Sequence, residues 1–227
     1  MTITYHPNLI QGSDEWLSSR RGLITASEMS KFLTPTLKIA DNADTRMQVF
    51  ELAAQRISCF TEPTYFGDEM LRGVSDEPIA RQLYHENFAS VTECGFITNN
   101  DHGFTIGYSP DGLVGDNGLI EIKSRRQKFT IQTIYEGKIP KEHMLQVQTG
   151  LLVTGRKWCD FITYHGGLPM MPIRVDPDPA VHEAIIEACA AFESKIAEVV
   201  ATYRARLSSV KWVETERLVE ADGEIVL

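Results

Sequence analysis

Between Gly118 and Lys123 the chain reads Gly-Leu-Ile-Glu-Ile-Lys, an apolar, β-rich run in which two charges occupy alternate positions. Alternate residues of a strand project from one face, so Glu121 and Lys123 share a face while Ile122 points into the opposite layer. A polar face inside an apolar strand needs a reason, either solvent on that side or a site that uses the charges. Upstream, the segment Ser109-Pro110-Asp111-Gly112 places Asp111 at the end of the preceding strand. If the two strands pair as a hairpin, Asp111 and Glu121 converge with Lys123 beside them, a donor set suited to one hard divalent cation. Phosphodiester hydrolysis calls for these types: a cation to screen the phosphate and acidify a water, carboxylates to hold it, and an ammonium to orient the nucleophile or balance developing charge.

Around this run the hydrophobic period changes twice. Ser13 is placed to cap a short helix through Arg21, stopped at Gly22, and Thr25 to Glu28 has capping-box spacing before Met29, Phe32 and Leu33. Helices are expected over 45–60 and 68–85, with Pro78 marking a kink or a new first turn. Short β-rich segments at 95–98, 103–108 and 118–123, separated by Asn-Asn-Asp and Asp-Asn-Gly turn signals, read as consecutive strands of a meander. Helices at 129–135 and 142–153, strands at 158–164 and 170–175 around His165-Gly166-Gly167, and a long helix at 179–207 complete the chain. The expected class is α/β (α+β): a central mixed β-sheet flanked by helices, in one domain without internal repeats.

Composition narrows the context. The 227 residues are 43% hydrophobic and 23% charged, an ordinary globular balance. No apolar run approaches the roughly 20 residues of a membrane span, and the first residues lack a secretory pattern. The four cysteines, Cys59, Cys94, Cys159 and Cys189, form no C-x-x-C pair, which argues against a zinc ribbon or compact disulfide framework and fits a reducing cytoplasm. The net charge of −9 weighs against nucleic acid, but its distribution is uneven. Lys123, Arg125, Arg126 and Lys128 form a basic cluster uninterrupted by acid, and Arg20, Arg21, Lys31 and Lys38 are dense. Acid collects after Lys211, at Glu214, Glu216, Glu220, Asp222 and Glu224, as expected of a solvated tail.

In these residues the sequence resembles the PD-(D/E)xK nuclease superfamily and, within it, the phage lambda-type exonucleases, the YqaJ-like viral recombinase or alkaline exonuclease family. Four segments match in order: Gly12 to Trp16 with Arg20 to Glu28; Gly73 to Glu77; Ser109 to Leu113 with Glu121-Ile122-Lys123; and Gln146-Val147-Gln148. The resemblance implies a restriction-endonuclease-like core in a single nuclease domain over 1–227, with N-terminal helices at 12–88, the catalytic sheet and its helices at 90–175, and a C-terminal helix and tail at 178–227. It implies that Asp111, Glu121 and the main-chain carbonyl of Ile122 bind Mg²⁺, as a pair of ions for which Mn²⁺ substitutes. Glu77 would join them directly or through water, unless it is a solvated helix-end acid beside Pro78. Lys123 would contact the attacking water or the scissile phosphate, and Gln146 would hold Lys123 or the water; Gln148, two residues on, would face elsewhere.

By the same resemblance, Arg20, Ser27 and Ser109 hold a terminal 5′-phosphate. The plainer readings are a surface arginine, a helix cap and a turn hydroxyl, with Arg21 as the adjacent alternative to Arg20. Met70 or Leu71 would wedge apart the terminal base pairs, or else pack in the core of an amphipathic helix. Arg125, Arg126 and Lys128, with Lys123, would form a track for the duplex backbone. The implied activity is Mg²⁺-dependent 5′-to-3′ digestion of linear double-stranded DNA to 5′-mononucleotides, leaving 3′ single strand for recombination. The implied partners are DNA ends, two further copies in a homotrimeric ring and a single-strand annealing protein, in the cytoplasm of a host cell carrying the phage or prophage. The rivals are another PD-(D/E)xK nuclease, such as a structure-specific endonuclease, and a non-catalytic DNA-end-binding module on the same fold. An iron–sulfur exonuclease is disfavoured by the cysteine spacing, and an inert module by Asp111, Glu121 and Lys123 standing together.

Overall fold

The computed structural model describes residues 2–63 and 67–217. In chain order the elements are β1 (Ile3–His6), α1 (Asp14–Arg20), β2 (Ile24–Thr25), a 3₁₀ helix (Ala26–Lys31), α2 (Ala43–Ser58) and α3 (Asp68–Asn87). Then come β3 (Val91–Thr92), β4 (Phe96–Asn99), β5 (Ile106–Tyr108), β6 (Gly112–Val114), β7 (Gly118–Ser124), α4 (Gln127–Glu136), α5 (Lys141–Thr154), β8 (Trp158–Tyr164), β9 (Pro172–Val175) and α6 (Pro179–Ser208). Local chemistry sets many boundaries. The Ser13 side chain accepts from the Trp16 amide, Asn42 from Thr45, and Asp178 from Ala180 and Val181 with Pro179 opening the helix. Gly137 and Gly155 close α4 and α5 in the left-handed conformation. α3 runs unbroken through Pro78. The capping box expected at Thr25 does not form: Thr25 sits in β2, its hydroxyl donates to Glu28 Oε2 at 2.9 Å, and the segment after it is 3₁₀ rather than α.

Among the described residues the strands form two mixed sheets, ordered β1-β4-β5-β2 and β3-β6-β7-β8-β9. The expected meander is therefore divided. β4 and β5 pair in the first sheet, whereas β7 pairs with β6, a three-residue strand too short to carry an alternation of its own. The chain leaves one sheet for the other through Ser109-Pro110-Asp111, where proline has no N–H to give a ladder. β7 and β8 are parallel over seven residue pairs, Gly118–Trp158 to Ser124–Tyr164, with α4 and α5 as the crossover.

β7 is covered on both faces. Leu119, with Phe161 and Cys159, joins a large cluster that includes Leu145 and Leu151 of α5, Ile185 and Phe192 of α6, and Met29 and Phe32. Ile120 and Ile122, with Ile162, pack against Ala80 and Tyr84 of α3. Each such side chain contributes about 1.5–3 kcal/mol by its burial, and the period of two leaves Glu121 facing the α5 side. α2 and α6 are tied by Arg56, which grips both carboxylate oxygens of Glu193 at 2.7 and 2.8 Å. At the tail, Arg217 stacks over Phe60 at 3.5 Å, and Glu214 and Glu216 are exposed; Glu220, Asp222 and Glu224 lie outside the described residues. No helix among the described residues is long and apolar enough to cross a membrane.

One close approach anchors the N-terminal segment on the first sheet: a Cβ added at Gly95 would lie 1.8 Å from the carbonyl oxygen of Leu9. Backbone cannot yield as a side-chain tip can, so Gly95→Ala is expected to lower unfolding stability by about 1–3 kcal/mol. Denaturant unfolding checks this, and a loss under about 0.5 kcal/mol would contradict the packing.

Candidate active site

The site is built from one buried strand residue outward. Glu121, 1% exposed, receives three donors. The Tyr108 hydroxyl from the end of β5 donates to Oε2 at 2.9 Å, Gln146 Nε2 from α5 donates to Oε1 at 2.5 Å, and Lys123 Nζ lies 2.8 Å from Oε1. Opposite, the hairpin register pairs Gly112 with Ile120, which sets Asp111 beside Glu121. Asp111 is also buried, and its Oδ2 accepts the amide of Ile122 at 2.5 Å. The hairpin juxtaposition expected from the sequence is thus present.

Electrostatics sharpens this picture. Burial, then the charges of Glu121 and Glu77, push the Asp111 carboxyl well above its ordinary range, against the opposing pull of Lys123 and the Ile122 amide. Burial works against the Lys123 ammonium, but Glu121, Asp111 and Glu77 outweigh it and hold its pKa above the usual lysine value. Burial and the Glu121 charge raise Tyr108 far up, so its hydroxyl remains a donor. His143, stacked on Phe161, is lowered to about 4 by burial and by the charges of Lys123 and Arg125, and stays neutral near pH 7.

A hard cation fits this donor set. Two buried carboxylates with one ammonium leave local negative charge, and the shifted Asp111 records its cost. A strand residue's N–H and C=O leave the same edge, so the Ile122 carbonyl opens on the edge where its amide meets Asp111. Among the described residues no group of three or more His, Cys, Asp and Glu side chains forms a metal site, so the protein donors here are two carboxylates and a carbonyl. Glu77 is close enough to act on Asp111 and Lys123, but its Oε1 accepts from Arg81 at 2.5 Å, and Arg81 also pairs with Glu93. Gln146, which the resemblance set against Lys123 or the water, donates to Glu121. Gln148 turns away, bonded to Asp176 and Asp178.

Two residues before Asp111 lies a second polar cluster. Arg20 Nη1 donates to Ser109 Oγ at 3.0 Å, and Nη2 reaches Thr25 Oγ1 and Ser27 Oγ, each at 3.4 Å. The guanidinium lies 4.2 Å over the Trp16 ring, whose indole N–H reaches Ser109 Oγ at 3.0 Å and Gly95 O at 3.1 Å. Burial lowers the Arg20 pKa, opposed by Glu28. Arg20, Ser27 and Ser109 therefore come together. Trp16 and Thr25 join them; both lie in the segments that carry the resemblance, but neither was expected at a phosphate pocket. Arg21 instead lines a surface hollow with Asp14, Glu15, Ser18 and Ser19.

Two other expectations change. The basic cluster is unopposed only in sequence: Arg125 pairs with Glu142 of α5 at 2.8 Å with its side chain 15% exposed, and Arg126 pairs with Glu69 of α3 at 2.8 Å. Lys123 points into the site, and Lys128 lies over Phe129, so the four cations do not form one unopposed track. Met70 and Leu71 are 47% and 54% exposed on α3, which removes core packing as their explanation.

Residues 15–157, more than half of the chain, match the YqaJ-like viral recombinase domain, and the protein belongs to that family. Its fold is that of an alkaline exonuclease (LHK-Exo) from Laribacter hongkongensis, 33% identical over 87% of this chain and 99% of that one, with a TM-score of 0.77. The complex of LHK-Exo with dAMP matches at 34% identity over the same shares, with a TM-score of 0.76. A phage related exonuclease from Haemophilus somnus 129PT, 13% identical over 80% of this chain and 96% of that one, shares the fold at a TM-score of 0.59. No curated protein matches significantly.

The raised Asp111 pKa has a consequence for stability. The folded chain retains a proton that the unfolded chain releases near pH about 3.9, so stability falls as pH rises from there through the higher folded value, and the loss persists above it. Removing this charge should restore stability. In chelator at pH 8, Asp111→Asn is expected to melt about 2–4 °C higher, the shift of about 1 kcal/mol at this size. A lower melting point would show that the carboxylates are not in electrostatic conflict.

Proposed function

We propose that the protein is a Mg²⁺-dependent exonuclease that digests linear double-stranded DNA from 5′ to 3′, releasing 5′-mononucleotides. The carrying observation is the buried Asp111–Glu121 pair with Lys123, set two residues from the hydroxyl-lined Arg20 cluster. Asp111, Glu121 and the Ile122 carbonyl would hold the ions, with Glu77 joining directly or through water. Mg²⁺, or Mn²⁺ in its place, would supply screening of the phosphate and a more acidic water there.

The chain's own groups do the rest. Lys123 keeps its proton and places an ammonium where it orients the attacking water or balances charge on the phosphate. Gln146 fixes one oxygen of Glu121. Arg20 meets hydroxyls and an indole face, so its fork is available to an anionic terminal phosphate, with Ser27 and Ser109 beside it. Ser109 and Asp111 are two residues apart, so their Cα atoms lie within about 7 Å. A phosphate held at the first and a bond cut at the second are thus separated by about one nucleotide, which supports mononucleotide release. LHK-Exo is known in complex with dAMP, which is a 5′-mononucleotide. Exposed Met70 or Leu71 would wedge the terminal base pairs, and Arg126 and Lys128 would touch the duplex backbone from the rim. By its family, the enzyme would act in phage-type recombination as a homotrimeric ring, leaving 3′ single strand for an annealing protein, in the cytoplasm of the host cell.

Linear duplexes with 5′-phosphate or 5′-hydroxyl ends, with Mg²⁺ or chelator, and closed circles as control, test the reading. Mononucleotide release from linear DNA with Mg²⁺ is expected, fastest from phosphorylated ends. Cut circles would point to an endonuclease, and metal-independent end binding without cleavage to a non-catalytic module. Arg20→Ala should reduce the preference for phosphorylated ends about tenfold, the effect of about 1.4 kcal/mol. Equal slowing on both ends would remove the phosphate role.

A further inference from the structure

The packing of Tyr108 does not by itself require a tyrosine. Its ring fills space between β5 and α5 at 1% exposure, and phenylalanine would pack the same volume. The hydroxyl is what distinguishes it, and that hydroxyl is spent on Glu121 Oε2 at 2.9 Å. The other carboxylate oxygen already takes Lys123 and Gln146, so Tyr108 is the donor that pins the second oxygen and the plane of the group. The ring itself is held tightly. A Cβ added at Gly150 would lie 2.7–3.0 Å from the Tyr108 ring atoms Cζ, Cε1 and Cε2. Gly150 stands one turn after Gln146 on the same face of α5, so this helix sets both the tyrosine beneath Glu121 and the amide beside it.

We propose that Tyr108 is a positioning residue whose hydroxyl orients the Glu121 carboxylate for a divalent cation, acting from the first sheet on a ligand in the second. This rests on the metal-site reading above. Groups that hold a metal ligand from behind alter ion affinity when removed, typically by 10–100-fold, while a tyrosine that merely packs does not.

Mn²⁺ binding to the full-length protein without DNA, followed by electron paramagnetic resonance, separates the two. Tyr108→Phe is expected to weaken Mn²⁺ binding tenfold or more while melting cooperatively and keeping the wild-type preference for 5′-phosphate ends. That retained preference shows that the adjacent Ser109 and the Arg20 cluster are undisturbed. Gly150→Ala keeps the hydroxyl but displaces the ring, so it too should weaken Mn²⁺ binding, and it decides the matter if Tyr108→Phe does not fold. Affinity within twofold of wild type in either folded variant overturns the role of Tyr108. A wild-type protein that binds no Mn²⁺, or Glu121→Gln binding as tightly as wild type, overturns the metal-site reading itself.

Discussion

A carboxylate placed inside a covered sheet dictates much of what surrounds it. Glu121 lies in a strand packed on both faces, where an unpartnered charge would cost several kcal/mol, and three donors from three elements compensate it. Tyr108 belongs to the β1-β4-β5-β2 sheet and Glu121 to the other, so this hydrogen bond joins the two sheets at the point where the chain passes between them. Asp111, held by the Ile122 amide, brings a second charge to the same place. The result is a local excess of negative charge that the fold tolerates, the usual relation between a functional site and the stability around it.

The net charge of −9 looks different once contacts are known. Several of the cations are paired with acid: Arg125 with Glu142, Arg126 with Glu69, Arg56 with Glu193, and Arg174 with Asp160. Only the Arg126–Glu69 pair is exposed on both sides, where such a pair contributes little to stability, but all four remove cations from the free surface. Arg20 differs because its guanidinium meets three hydroxyls and two aromatic rings, Trp16 and Phe96. A cation kept in that company can still take an anion, which total charge does not reveal.

Some of this was legible in the sequence, because it is written in near neighbours. The period of two in Leu119 to Lys123 determined which face carries the charges. The turn between Asp111 and Glu121 determined that they would meet, and Ser13 and Gly22 marked the ends of the first helix through contacts within one turn. Strands of two to four residues, such as β2, β3 and β6, carry no period to detect and were missed or merged, so a divided pair of sheets read as one meander.

Tertiary structure alone decided the partners. Trp16 meets Ser109 across 93 residues, Arg56 meets Glu193 across 137, and the cations after β7 find acids on α3 and α5. Tyr108 is only 13 residues from Glu121, yet its role needed the chain to change sheets at Pro110 and a glycine on α5 to admit its ring. The same closure left Met70 and Leu71 exposed, where local pattern alone could not separate a packed residue from a wedge. Local spacing specifies which atoms a segment presents, whereas which atoms face them depends on how distant segments close around one core, and no window of sequence contains that information.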